Sequence, residues 1–179
     1  MALYGGARDI SMFRRVNREL MGSIISQEVI YYKYNITTTK TNMYGESVEG
    51  RNFADPVILF ALIELGSPES PTSDLGVDFT WPITFRFLRD DLAGIDLSIE
   101  LSGGGQGFAY GVVPEVGDVM VWQNNYYEVD GTIENQLFVG KDPGYSYSTD
   151  NDNFGSSISI IVNAHYTRVE KLGIEKDRL

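Results

Sequence analysis

The chain has 179 residues, 42% hydrophobic and 22% charged, with 14 basic against 25 acidic side chains (net charge −11) and no cysteine. That length fits one domain, or one domain with long excursions, and the apolar share is enough for a genuine core. The charge argues against a protein that grips DNA by neutralising phosphates, and without cysteine there is neither a disulfide framework nor a thiolate metal site. No run of about 18 apolar residues marks a transmembrane span, and the opening MALYGGARDISMFRR lacks the apolar stretch of a signal peptide. The Asn35-Ile36-Thr37 sequon is then a chance match.

In chain order, residues 9–26 read as a helix. Phe13, Val16, Leu20 and Ile24 recur at three- and four-residue steps on one face, and Asp9 or Ser11 supplies a cap. Arg14, Arg15 and Arg18 fall largely off that stripe and, with Arg8, make this end basic. Such a cluster suits an acidic partner, although a solvated helix face is its commoner role. Residues 29–41 are β-branched and aromatic and read as a strand or extended arm, with Ile30, Tyr32 and Tyr34 alternating against Tyr31, Lys33 and Asn35. Residues 42–55 read as a loop. The apolar run 56–65 reads as a buried strand and 67–74 as a surface loop.

Residues 76–92 alternate around Phe79, Trp81, Ile83, Phe85 and Phe87, with Pro82 marking an edge position or a break. Residues 89–92 form a short helix in this reading, 95–101 a strand, and 102–111 a flexible glycine-rich loop. The stretch 115–143 is the richest in architecture. Gly117-Asp118 opens a strand carried by Val119, Met120, Val121 and Trp122, and Asn124-Asn125 turns it. Residues 126–130 return, Asp130-Gly131 supplies another turn, and Leu137, Phe138 and Val139 begin a further strand before Asp142-Pro143. A polar stretch, 145–157, precedes a last strand, 157–169, with Ile158, Ile160, Val162, Ala164 and Tyr166 on one face. The charged tail 170–179 is mobile or partner-dependent in this reading. The sum is one mainly β domain over 1–179: a small β-barrel or sandwich with an N-terminal α-helix and long projecting loops.

Chemistry is scarce. The glycines of 103–111 fit no G-x-G-x-x-G frame, and Gly140-Lys141 lacks the rest of a P-loop. Asp150-Asn151-Asp152-Asn153 opens like a calcium loop, but Phe154 takes the third ligand position and no acid closes it. His165, the only histidine, has no evident carboxylate partner, and adjacent Asp90 and Asp91 on an extended chain point apart. Tyr31, Tyr32, Tyr34, Tyr126 and Tyr127 offer stacking rings. Adjacent tyrosines on a strand place one ring inside and one outside, and protein contact suits the outward ones better than nucleic acid without a basic groove. No catalytic, cofactor-binding or metal-ligating residue is nominated, and the expectation is a non-enzyme.

Three stretches carry a family likeness. ELMGSIISQEVIYYKY with NMYGES, the Phe- and Leu-rich FRFLRDDL, and above all PEVGDVMVWQNNYYEVDGTIENQLFVGKDP resemble the neck (head-completion) proteins of contractile-tailed phages. In that family a helix leads to a Tyr-Tyr strand and an aromatic-Gly-Glu turn. A Gly-Asp strand, an aromatic-Glu-hydrophobic return strand and a late Asp-Pro follow. A Gly-Asp start followed by Tyr-Glu-Val is also similar to the small β-barrel stoppers of other tailed phages. The likeness covers most of the chain; the glycine insertion at 103–107 departs from it.

The resemblance implies a structural virion protein, a homo-oligomeric ring in the neck between capsid and tail, assembled in the host cytoplasm. It would close the DNA-filled head, meeting portal-side adaptor or connector proteins and the tail terminator or other tail proteins. DNA would pass its channel without sequence-specific binding, and no membrane or cofactor is implied. Loops 42–55, 67–74 and 102–111 would reach neighbouring rings. A tail terminator or baseplate protein is the alternative within phages, and a β-sandwich carbohydrate-binding module using the tyrosines and the 150–153 acids the alternative outside them.

Overall fold

The structure, a computed structural model, describes residues 7–36, 38–40, 42–43, 50–68, 72–73, 76–77, 80–93, 96–101, 105–110, 112–134, 159–172 and 174. Helix α1 (Ala7–Glu19) runs into a π-helical turn, Leu20–Ile25, and ends at Ser26, whose left-handed backbone (φ 46°) lets its N–H donate to the Met21 carbonyl at 2.9 Å. Asp9 and Ser11 therefore lie within the helix and are not its cap, contrary to the sequence expectation. Strands follow as β1 (Glu28–Tyr32), β2 (Val57–Phe60), β3 (Leu62–Leu65), the short β4 (Thr72–Ser73) and β5 (Gly76–Val77), then β6 (Pro82–Leu88). A short helix α2 (Arg89–Ala93) forms as expected. After it come β7 (Asp96–Leu101), β8 (Gly105–Tyr110), β9 (Val119–Trp122), β10 (Asn125–Ile133), β11 (Ser159–Thr167) and α3 (Val169–Leu172).

Seven strands make one antiparallel sheet in the order β2-β1-β9-β10-β11-β6-β3. Its two edges are successive segments of one chain. β2 pairs with β1, β3 pairs with β6, and only Ala61 separates them, its N–H donating to the Gln27 carbonyl at 3.0 Å. No ladder between β2 and β3 closes the sheet among the described residues, so of the two forms the sequence left open the fold is sandwich-like rather than a barrel. The run 56–65 is accordingly not a buried strand throughout: Leu59 and Ala61 face the core while Ile58, Leu62 and Leu65 are exposed.

Period-two alternation fills the interior from every strand of the sheet. Val29, Tyr31, Leu59, Ala61, Ile83, Phe85, Phe87, Met120, Tyr127, Val129, Ile160, Val162 and Ala164 join Leu92 of α2 and Val112 in one core. Burying side chains of this size contributes roughly 1.5–3 kcal/mol each before conformational entropy is counted. Pro82 is neither at a sheet edge nor a break; it is the first residue of a strand paired on both sides, where a missing N–H is tolerated. A smaller cluster covers the outer face of β1 and β9, with Val119, Val121 and Leu172 packed by Ile30, Tyr32, Phe53, Tyr126 and Ile174. The start of the charged tail is thus a docked helix, because its apolar Leu172 and Ile174 have a sheet face to cover.

Several local expectations shift. β1 stops at Tyr32, and beyond it Tyr34 makes a single bridge to Phe53. Residues 105–110 of the expected glycine-rich loop form β8, paired along its length with β7; Phe108 and Tyr110 in this run are strand formers. Asp130-Gly131 is not a turn. It lies inside β10, where the pairing with β11 slips between Val129 and Gly131 as a β-bulge. The turn between β9 and β10 sits one residue earlier than expected, because Trp122 pairs with Asn125 and the loop is Gln123-Asn124. The expected strand at 137–139, the stop at 142–143, the polar stretch 145–157 and the side chains of Phe79 and Asp90 lie outside what is described.

Gln123 (φ 49°) and Asn124 (φ 65°) both adopt left-handed backbone, the requirement of a type I′ hairpin. Glutamine is a poor occupant of that position. The double substitution Gln123→Asn, Asn124→Gly is expected to stabilise the fold by about 0.5–1 kcal/mol, because these residues enter left-handed backbone at lower cost. Urea denaturation measures it, and a lower midpoint would contradict the turn assignment.

Candidate functional site

The most conspicuous polar cluster surrounds Asp118, which is 1% exposed. Its Oδ2 accepts from the Tyr31 hydroxyl at 2.5 Å, the Lys33 ammonium at 3.1 Å and the Glu115 N–H at 2.7 Å, while Oδ1 accepts from the Tyr34 N–H at 2.9 Å. Lys33 Nζ also donates to the Val113 carbonyl at 3.1 Å and to Glu115 Oε2 at 2.9 Å. Gly117 (φ 93°) makes the bend that turns the carboxylate inward, and its N–H donates to the Val129 carbonyl. Burial, then the charge and hydrogen bond of Asp118, hold the Tyr31 phenol well above the ordinary tyrosine range. An Asp-Lys-Tyr group invites a catalytic reading, but four donors occupy this carboxylate inside the wall. It acts as a structural clamp.

Sequence reading treated Gly117-Asp118 as a strand opener and did not connect it to Lys33. The available signal was the alternation itself. Lys33 shares the inward face of Val29 and Tyr31, and a lysine there requires a buried partner.

The other described ion pairs lie nearer the surface. His165 is not without a carboxylate, contrary to expectation: its Nδ1 lies 2.7 Å from Asp130 Oδ1, because the bulge at Asp130 brings the two together across β10 and β11. Beside them Arg51 pairs with Glu128, and further round the sheet Arg86 pairs with Glu64 at 2.9 Å. Asp91 pairs with Arg18 of α1 at 2.8 Å rather than serving as one of a catalytic pair. Among the described residues no group of three or more His, Asp or Glu is placed to hold a metal ion. Residues 150–153 lie outside them.

The tyrosines divide as expected between inside and outside. Tyr31 and Tyr127 are core residues, whereas Tyr32 and Tyr126 face outward. Those outward rings are not reserved for a partner, however. Tyr32 lies edge-on to Phe53 at 6.4 Å, Tyr34 lies 5.9 Å from the same ring, and the Arg51 guanidinium is 6.0 Å from the Tyr34 centroid. A polar cleft of about 390 Å³ opens between the β9–β10 turn and the start of α3, lined by Asn124, Asn125, Tyr126, Tyr166, Thr167 and Arg168 among others.

Several exposed apolar residues gather on the helix. Phe13 (42% exposed), Val16 (52%), Leu20 (41%) and Ile24 (76%) form the predicted stripe, with Met12 (54%) beside it, and it faces outward. Met21 is the buried member of this segment. A surface helix normally turns such a stripe to the core. Here the Arg18–Asp91 pair links α1 to α2, and the stripe stays outward. No helix among the described residues is long and apolar enough to cross a membrane. No protein-family model matches the chain, and no curated protein is significantly similar to it.

Two predictions concern the clamp. Asp118→Asn presents amide hydrogens to donors and leaves Lys33 without its buried charge partner, with an expected loss of about 3 kcal/mol in denaturant unfolding. Lys33→Met, which leaves three donors on Asp118, is expected to lose less; the reverse order would refute the clamp. The second follows from the phenol. Its stability contribution is complete below the unfolded-chain tyrosine value of about 10 and declines as pH rises above it, since the folded state resists ionisation. Tyr31→Phe should be less stable at pH 8 yet decline less steeply between pH 9 and 11, and an unchanged slope would count against this origin.

Proposed function

We propose that this chain is a structural virion protein of a phage neck, assembling as a homo-oligomeric ring that closes the DNA-filled head and joins it to the tail. The observation that carries the reading is the outward apolar stripe of α1. Exposed apolar surface on a folded domain marks a protein contact, and the resemblance to neck proteins supplies its setting. In that setting portal-side connector proteins lie on one side of the ring and tail proteins on the other. DNA passing the channel meets a chain of net charge −11, which gives phosphates little to hold.

A tail terminator or baseplate position would use the same surface, and location in the particle separates them. Virions produced without this chain should accumulate as full heads and free tails, and resupplying it should restore joining. A tagged copy should appear at the neck in particle reconstructions. Heads and tails that join normally without the protein would end the proposal.

A carbohydrate-binding module is the second reading, favoured by the cleft that sets Tyr126 and Tyr166 beside Asn124 and Asn125. Tyr31 and Tyr127, buried in the core, leave it no stacking role. Robust signal on a glycan array, weakened by Tyr166→Ala, would favour the module over the ring.

A further inference from the structure

A second exposed apolar surface lies elsewhere on the same chain. On the segment formed by β2 and β3, outward alternation brings Ile58 (62% exposed), half-buried Phe60 and Leu62 (43%) into one strip. Ile58 lies opposite Ile30 of β1, which packs in the cluster under α3 and bounds the strip on that side. Exposed Glu28 lies opposite Phe60 and gives one end of the strip an acid, while at the other end Glu64 pairs with Arg86, which lies opposite Leu62.

The helix carries the other sign. Four arginines and two acids fall within the first 26 residues of a chain with 14 basic and 25 acidic side chains. Exposed Arg15 sits beside Val16 of the stripe. The stripe is somewhat longer than the strip. At about 1.5 Å per residue the stripe from Met12 to Ile24 is roughly 18 Å long, and at about 3.3 Å per residue Ile58 to Leu62 spans roughly 13 Å.

We infer that the α1 stripe of one copy docks on the Ile58–Phe60–Leu62 strip of the next, with Arg15 facing Glu28 at its rim. This deepens the ring reading and rests on it. The contact joins two different surfaces, so it is heterologous: each copy donates a helix and accepts one. Such contacts propagate until rotation closes them into a ring, or continue as a filament, and they do not stop at a two-fold dimer. The opposite charges orient the approach, and the apolar residues supply the contact area.

Sedimentation of the full chain and of two variants tests it. Val16→Asp with Leu20→Asp spoils the helix face, while Ile58→Asp with Leu62→Asp spoils the strip; circular dichroism verifies that each remains folded. Each variant alone should self-associate at least tenfold more weakly than the wild type. Mixed one to one, the pair retains one intact strip and one intact helix, and should form a dimer that stops there. Raising salt should weaken wild-type assembly, because the rim charges are exposed. If the wild type assembles and both variants assemble equally well, or the mixture forms no dimer, this interface is wrong while the ring reading stands. A wild type that stays monomeric at every concentration removes the homo-oligomer reading, and this interface with it.

Discussion

The fold hangs on the carboxylate of Asp118. β1 leaves the N-terminal helix and must be held against β9, which begins some ninety residues later in the chain. A three-residue ladder, from Ile30–Val121 to Tyr32–Val119, does part of this. The clamp does the rest by binding the side chains of Tyr31 and Lys33 and the backbone of Tyr34 to one turn. A buried carboxylate without partners would cost several kcal/mol, so the site is favourable only when every donor arrives together. That all-or-none character makes it a register lock. Slipping β1 by one residue would turn Tyr31 outward and leave the charge in the wall uncompensated.

With β1 fixed, the rest of the sheet has little freedom. β2 pairs on β1, and the chain then crosses at Ala61 to pair on β6. An open seven-stranded sheet would ordinarily leave two unrelated edges; here both belong to one nine-residue segment. The sheet must therefore curl until β1 and β6 approach either end of that segment, which encloses a single core without a closing ladder. Gly66 permits the last step. Its N–H donates to the Pro82 carbonyl at 3.0 Å, and a Cβ there would stand 2.7 Å from Pro82 Cγ.

The elements visible in the sequence are those whose signal is local. Period-two alternation marked Ile83, Phe85 and Phe87 and the inward residues of β11, and the helix stripe was found by its spacing. What escaped depends on distant partners. Nothing near Asp118 announces Lys33 and Tyr31, and only the inward phase of a lysine hinted that a charge lay opposite. The bulge at Asp130 was taken for a turn because Asp-Gly is a turn pair wherever β11 does not claim the backbone on both sides of it. The tail read as mobile because its charges dominate, whereas Leu172 and Ile174 answer to an exposed sheet face that no local window contains. For the candidate surface the residues were legible and their exposure was not, since an apolar stripe looks the same whether it meets a core or a partner.

Stability and assembly are thereby assigned to different parts of the molecule. The core and the clamp are satisfied within one chain, and the outer face of β1 and β9 is covered by α3. The helix stripe stays outward, and its last turn is π-helical. In an α-helix four residues overshoot one turn by about 40°, so a stripe stepped by four winds slowly round the axis. The π-helical turn over Leu20–Ile25 holds more residues per turn and rotates the stripe back at its far end. Leu20 and Ile24 are thereby kept closer to the line of Met12 and Val16 than a continuous α-helix would keep them. A core would not need that correction, because packed side chains follow the twist of the sheet. In the contact proposed with a neighbouring copy, that straighter stripe is what would meet an extended strip.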